Sequence, residues 1–551
     1  MAKKDYSKLN KEELLEVIKN LESKKKYGLV WDEEKVPEKV VVDCQHQLPV
    51  LKEVKDKEII TDPSQPTHIL IEGDNYHALS VLNYTHKGKI DLIYIDPPYN
   101  TGNKDFVYND CYVEKEDTWR HSKWLNFMSK RLELAKELLT EKGVIFISID
   151  EHEYANLKII CDGLFGELNI DTLIWRKNGK QGNTKKINRI KNTHEYILVA
   201  YKNKNKTFFG KVKLLPNWKG KKTNPDKDLR GNWESGVICR DEENSNTKSE
   251  NYYVVRLPSG RELKREFYFK KDQFNEYLKE NKIYFPKDGD GIPRLKIFEK
   301  EEQEYYFDSI IDEMGTFTDA KQEIANILGN TDVFDTPKPK KLIKEICRVS
   351  TKKDSIILDF FAGSGTSAIS VFELNQEDFG NRKVIVCTNN ENNNGNGKIA
   401  EDICFPRIKK SINGYNNLKE EQIEGLGGNL KYFKTAFVKN RPNKDQLKIE
   451  ITKQCTEMLC LKEGIFNLKT TTKDYKIFEQ NDRFMAVFYD FANASLNDLK
   501  KQMNALKGEK VLYCFTLLEK LETMNFKGWK DIKLEPIPQK ILELYLEIFK
   551  N

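Results

Sequence analysis

Short apolar runs that end in polar residues alternate with helical stripes through the first 200 positions of the chain. Thr67–Glu72 and Lys89–Ile95 read as strands, the first running into Gly73-Asp74-Asn75 and the second into Asp96-Pro97-Pro98-Tyr99, and between them Tyr76, Leu79 and Leu82 share one helix face. Trp124, Met128, Leu132, Ala135 and Leu139 predict a longer helix, and Gly143–Asp150 and Tyr196–Tyr201 predict two further strands. From about Lys202 to Gly329 the pattern turns polar and irregular, with turn clusters such as Lys287–Pro293, as expected of an insertion serving recognition. It resumes with a helical face at Leu342, Ile343, Ile346 and Cys347, then the strand Ser355–Asp359, the turn Phe360–Thr366, an apolar helix and the strand Lys383–Cys387. Strand, helix, strand with acids at the strand ends predicts an α/β fold whose buried parallel sheet carries its ligands at the carboxyl edge.

The segments divide the chain into an N-terminal helical piece (1–45, with Leu9, Leu14, Leu15, Ile18 and Leu21 on one face), two core halves (46–202 and 331–435), an insertion (203–330) and a C-terminal α/β stretch (436–551). At 551 residues several cores are expected. The longest apolar stretches are strand-length, so no membrane span is expected, and the polar start Met1-Ala-Lys-Lys lacks the apolar run of a secretory signal. Ten singly scattered cysteines fit neither a disulfide framework nor a structural metal knuckle, and a cytoplasmic location follows.

Net charge is only +6, but residues 171–240 hold 18 Lys plus Arg against 5 Asp plus Glu, interleaved with Trp175, Phe208, Phe209, Trp218 and Trp233. Such a stretch suits contact with phosphates and stacking on bases; a solvated lysine-rich surface is the plain alternative. Lys177, Lys180, Lys185, Lys186 and Arg189 are the candidate DNA-binding residues.

Two motifs carry chemistry. Gly363-Ser364-Gly365, at a strand-to-helix turn, lets backbone amides approach a nucleotide-like ligand, with Glu391 one strand further on to meet ribose hydroxyls. Lack of a Lys-Ser/Thr pair after the glycines argues against a triphosphate. In Asp96-Pro97-Pro98-Tyr99 the prolines fix the backbone and remove amide donors, so the Asp96 carboxylate and the Pro97 carbonyl can accept two N–H groups while Tyr99 stacks. That set suits an exocyclic amine on a planar base, although a stiffened turn would explain the tetrapeptide alone.

Together, Asp96-Pro-Pro-Tyr-Asn-Thr-Gly102 and Leu358-Asp-Phe-Phe-Ala-Gly-Ser-Gly-Thr366 resemble the amino-methylating DNA methyltransferases, and their order resembles the permuted beta class. Gly73-Asp-Asn75, Phe334–Pro339, Thr388–Glu391, Pro406–Lys410 and Gly425–Asn429 further resemble the modification subunit of type III restriction–modification systems. The resemblance implies a Rossmann-like S-adenosylmethionine-dependent methyltransferase fold in circularly permuted order, with an inserted target-recognition domain and a smaller C-terminal α/β domain. It implies Asp96, Pro97, Pro98 and Tyr99 as the catalytic set acting on adenine N6, because the motif begins with Asp rather than Ser. Asp74, Thr336, Lys338, Pro339, Asp359, Phe361, Gly363, Gly365, Thr366 and Glu391 are the implied cofactor residues. It also implies duplex DNA as substrate, a homodimer and a separate helicase–nuclease restriction subunit.

No metal is expected: His77, His121, His152 and His194 show no ligand spacing, and Asp445, Glu450 and Lys453 are misspaced for a nuclease cluster. N4-cytosine methylation, a solitary or phage-type enzyme and a non-catalytic specificity module are the competing readings.

Overall fold

The computed structural model describes residues 38–103, 105–109, 111–177, 192–207, 209–214, 223–298, 301, 303–391, 397–439, 443–489, 495–517 and 526–550. The helix predicted over Leu9–Leu21 lies outside them. Contacts divide the chain into a larger unit, residues 1–209 with 308–551, and a smaller one, residues 210–307.

Ten strands form the central sheet of the larger unit: β1 (Gln47–Glu53), β2 (Thr67–Glu72), β3 (Ile90–Ile95), β4 (Leu139–Ile149), β5 (Ile170–Arg176), β6 (His194–Tyr201), β7 (Ile310–Ile311), β8 (Ile356–Asp359), β9 (Lys383–Thr388) and β10 (Asn429–Lys439). Their order across the sheet is β1-β10-β2-β9-β8-β3-β4-β6-β5-β7. From β10 to β4 every neighbouring pair is parallel. Antiparallel pairs flank that block, β1 with β10 on one side and β4 with β6 and β6 with β5 on the other. The parallel strands are buried on both faces, which is why β3 and β9 read as continuous apolar runs rather than alternating ones.

Helices α1 (Lys39–His46), α2 (Asn75–His86), α3 (Arg120–Leu138), α4 (Tyr154–Phe165), α5 (Phe317–Leu328), α6 (Lys340–Ser350), α7 (Thr366–Asp378) and α8 (Phe405–Asn413) belong to the same unit. In α2 the Asp74 side chain accepts from the amides of Tyr76 and His77, so this acid both starts the helix and stands at the end of β2.

The insertion is shorter than the 203–330 read from the sequence. Lys204 Nζ pairs with Asp171, Lys206 Nζ with Glu141, and the Thr207 hydroxyl donates to the Lys142 carbonyl, which hold 203–207 on the larger unit. On the other side β7 pairs in parallel with β5, and α5 follows with a Thr316–Asp319 capping box. Within the smaller unit Trp233–Val237, Arg294–Phe298 and Ile283–Tyr284 form one sheet, and a hairpin of Tyr252–Arg256 with Glu262–Glu266 accompanies the helix Lys271–Lys279 around Phe267 and Phe274.

The C-terminal stretch has its own sheet, β11 (Asn467–Thr471), β12 (Tyr475–Gln480), β13 (Arg483–Phe488), β14 (Glu509–Phe515) and β15 (Ile532–Ile537), with α9 (Lys444–Gln454), α10 (Thr456–Glu463), α11 (Leu496–Ala505) and α12 (Gln539–Lys550). It does not stand apart: Met458, Leu459, Ile541 and Tyr545 join one apolar core with Leu79 and Leu82 of α2, and the Tyr545 hydroxyl donates to the Pro49 carbonyl at 2.5 Å. Ile541 and Tyr545 of α12 are thus spent inside the unit. Among the described residues no helix is long and apolar enough to cross a membrane.

Candidate active site

Residues after β2, β3, β8 and β9 meet at the carboxyl edge of the parallel strands, where a cavity of about 950 Å³ opens. Asp74, Asp96, Pro97, Pro98, Tyr99, Thr336, Lys338, Asp359, Phe361, Gly363, Thr366 and Glu391 all line it.

At one end lies the tetrapeptide after β3. The Trp124 indole N–H donates to the Pro98 carbonyl at 2.7 Å, and buried Asn100, at φ +56°, donates to Glu153 at 2.5 Å, so both sides of Tyr99 are fixed to the scaffold. The Tyr99 hydroxyl lies 2.9 Å from Asp96 Oδ1 and 3.0 Å from Glu195 Oε2, with a single proton for the two carboxylates. Lys338 Nζ donates to Asp96 Oδ1 (2.7 Å), Asp96 Oδ2 (2.8 Å) and the Tyr99 oxygen (2.8 Å) and stands 3.5 Å from Glu195 Oε2. Lys177 Nζ meets the other Glu195 oxygen at 3.4 Å. Burial pushes the Asp96 carboxyl above its usual range against the pull of Lys338, and burial beside two acids pushes the Tyr99 phenol well up. Burial also works against the Lys338 ammonium, but Asp96 and Glu195 outweigh it and hold its charge above the ordinary lysine range.

At the other end the acids meet dipoles. Asp359 accepts from the Phe361 amide at 3.0 Å and from the Ser367 hydroxyl, and burial pushes its carboxyl up to about 7. Glu391 accepts from Asn389 at 2.5 Å and is likewise raised by burial. The ring of Phe334 lies over Gly363, whose φ is +49°, so a Cβ there would come within 2.8 Å of it. Beneath the turn, fully buried Arg407 donates from Nη1 to the Ser364 hydroxyl (2.8 Å), the Ser364 carbonyl (3.3 Å) and the Thr366 hydroxyl (2.9 Å). Behind Asp74, fully buried Arg131 pairs with both oxygens of Glu38 (2.9 and 2.7 Å) and reaches Asp74 at 3.5 Å.

Several candidates stand elsewhere than expected. Lys338, expected among the cofactor residues, reaches the tetrapeptide after β3 instead. Gly365 faces Cys404 and Ile408, so its missing side chain serves close packing of α8, and Pro339 caps α6 with its ring against Gly315. Lys177 is a wall residue engaged with Glu195, not an open phosphate contact; Lys180, Lys185, Lys186 and Arg189 lie outside the described residues, as do Phe208 and Trp218. Trp175 and Trp233 are core residues, packed on Phe317 and Tyr284, and Phe209 packs on Phe146 and Tyr201, so none of the three is a free stacking platform. Glu195, Arg131 and Glu38 belong to none of the motifs, Glu195 being signalled only as an acid opening an apolar strand in His194-Glu195-Tyr196, and Arg407 lies within Pro406–Lys410, where the sequence assigns it no role. Asp150, Glu151 and His152 bring one ligand atom each within 4.8 Å of one another on a turn after β4, although no metal spacing was read there.

The family described as DNA methylase, whose members are N6 and N4 methyltransferases, matches residues 90–391. The chain is 32% identical over 387 residues to the type III restriction–modification enzyme StyLTI Mod subunit of Salmonella typhimurium, covering 65% of this chain and 56% of that protein. It is 31% identical over 442 residues to the EcoPI Mod subunit of Escherichia phage P1, covering 69% of this chain and 66% of that one. With the type II methyltransferase M.KpnI of Klebsiella pneumoniae it shares 31% identity over 389 residues, 64% of this chain and 89% of that protein. The chain thus spans about three fifths of the length of the two Mod subunits.

Proposed function

The chain belongs to the DNA methylase family, and on that premise we propose that it transfers a methyl group from S-adenosylmethionine to adenine N6 in duplex DNA as the modification subunit of a type III system. The observation that carries this reading is the placement of Asp96 and the Gly363 turn at the ends of adjacent strands β3 and β8, on one cavity.

The cofactor end fits the group. Asp359 and Glu391 are acids that no lysine or arginine meets among the described residues, which suits a ligand bearing a sulfonium and an ammonium, and both line the cavity together with Gly363. Asp359 would hold the methionine ammonium, Glu391 the ribose hydroxyls and Asp74 the region of the adenine. When bound, S-adenosylmethionine supplies an electrophilic methyl on a cationic sulfur.

Adenine N6 is a weak nucleophile because its lone pair is delocalised into the ring. Asp96 and the Pro97 carbonyl accept its two N–H groups and localise that pair, and Tyr99 stacks on the extruded base, returning part of the few kcal/mol lost on flipping. As the nitrogen gains the methyl it must release a proton, and the Asp96 carboxylate is the acceptor already bonded to it. None of the cysteines takes part; nine of the ten are buried.

The test is Asp96→Ala. Tritiated methyl transfer to DNA should fall by about 1,000-fold or more, while cofactor affinity by calorimetry stays within about threefold. Equal loss of both would assign Asp96 to the scaffold and sink the reading.

A second reading, a solitary modification enzyme, is favoured by one observation: this chain covers 89% of the type II methyltransferase M.KpnI. The two readings part on partners. The first expects a homodimer that methylates duplex DNA in the cytoplasm unaided and a separate helicase–nuclease for cleavage. Light scattering that finds a fully active, site-specific monomer would move the balance to the second.

A further inference from the structure

All three N–H groups of the Lys338 ammonium are spent on the catalytic tetrapeptide, two on the Asp96 carboxylate and one on the Tyr99 oxygen. Two of them occupy the Asp96 oxygens, which are one of the two acceptors that a target amine needs. Given the proposed methyl transfer to an exocyclic amine, we infer that Lys338 is a positioning residue: its ammonium stands in for the amine of the flipped base, which displaces it toward Glu195.

The surroundings supply what such an exchange requires. Glu195 is buried, with Oε2 only 3.5 Å from Lys338 Nζ, so the ammonium can change acceptor without leaving the cavity. Lys177 balances Glu195 from the other side at 3.4 Å, so Asp96, Glu195, Lys338 and Lys177 sum to zero charge. A neutral base entering this set leaves the sum unchanged, whereas expelling a buried ammonium would strand a carboxylate. The groups facing Asp96 are Tyr94 on its own strand, Tyr99 in the loop, Glu195 on β6, Lys338 ahead of α6 and Asp359 at the end of β8. Lys338 is the one cation in direct contact with it among them. The ammonium therefore also opposes the effect of burial on Asp96 and favours the carboxylate that accepts N–H groups.

Single-turnover methyl transfer measured across pH reads both roles, since its acid limb reports ionisation of the group that must be deprotonated. Lys338→Met should move that limb up by about 1–3 pH units, because an opposite charge at contact lowers a carboxyl by that much. Above the shifted limb its rate should recover, and its KM for DNA should not rise, since nothing then competes with the base. Glu195→Gln should move the limb the opposite way, to lower pH, by removing a like charge. An unmoved limb in Lys338→Met with cofactor affinity retained, or a rate that stays low at high pH, would overturn the inference by making Lys338 a scaffold or a direct base contact. Should Lys338→Met fail to fold, Glu195→Gln decides alone: a downward shift supports the exchange, and an unmoved or upward one overturns it. Failure here is distinct from failure of the proposed function, which would show as a wild-type protein that transfers no methyl group at all.

Discussion

The two ends of the cavity hold the same kind of group under opposite conditions. Asp359 and Glu391 are met by a backbone amide, a hydroxyl and a carboxamide, and burial leaves both more basic than an ordinary carboxylate. Asp96 and Glu195, at the other end of the cavity, are met by Lys338 and Lys177. Acids left without a cation attract a cationic ligand; acids already matched by lysines suit a neutral one, whose N–H groups need acceptors rather than charge. Under the proposed function, the asymmetry would sort the two substrates before either makes a specific contact. Among the described residues at the Asp359 end, only Asp74 reaches an arginine, and that arginine is committed mainly to Glu38.

The largest effect is expected where this division is built into the scaffold. Arg131→Met strands Glu38 in a buried site and should cost about 3–5 kcal/mol of stability, read from denaturant unfolding. A loss under ~1 kcal/mol would mean that the pair is dispensable and that Arg131 belongs to the cofactor end instead.

Asp359 offers the sharpest test of charge sorting. With its carboxyl near 7 in the folded protein, it is protonated below that pH, so cofactor affinity should fall by up to about tenfold per unit as pH drops below 7. Calorimetry between pH 6 and 8 would show it, and Asp359→Asn should be weaker at pH 8 and flat across the range. The sign for stability is the reverse. A folded carboxyl raised above its unfolded value is a stability deficit that grows as pH rises from about 4 to 7, so Asp359→Asn without ligand should be more stable than wild type at pH 8, by up to ~4 kcal/mol.

Gly363→Ala sets a side chain against Phe334 at a left-handed backbone position, which should cost ~1–2 kcal/mol and weaken cofactor binding while leaving DNA affinity alone. The smallest expected effect is on Lys177. Its Glu195 contact predicts that Lys177→Ala changes the salt slope of DNA binding by less than ~0.3, against about 0.9 for a lost phosphate contact. A full unit of slope would return it to the phosphate face.

What the sequence disclosed follows from locality. β3 and its tetrapeptide, and β8 and its glycine turn, are contiguous, so apolar runs and strand-end acids announce them directly. Lys338 and Glu195 reach Asp96 only through the sheet, and no spacing rule connects residues so far apart in the chain. The basic stretch misled for another reason. At the end of strand β5 neighbouring residues point to opposite faces, so Trp175 turns into the core while Arg176 faces out to Asp312. A count along the chain merges two faces that the pleat separates.

The strand order also dictates a schedule. β2 and β3 are joined by a single helix, yet β8 and β9 lie between them in the sheet, and β10 covers the far side of β2. During synthesis β3 can gather β4, β6 and β5, while β2 has none of its final neighbours. Translation from Ile95 to Ile356 takes roughly 13–50 s at ~5–20 residues per second, and for that interval two open sheet edges wait for strands still unmade. The nascent chain is therefore most exposed to misassociation in mid-translation, and slowing the ribosome between these strands should lower the yield of folded protein more than slowing it after Lys439.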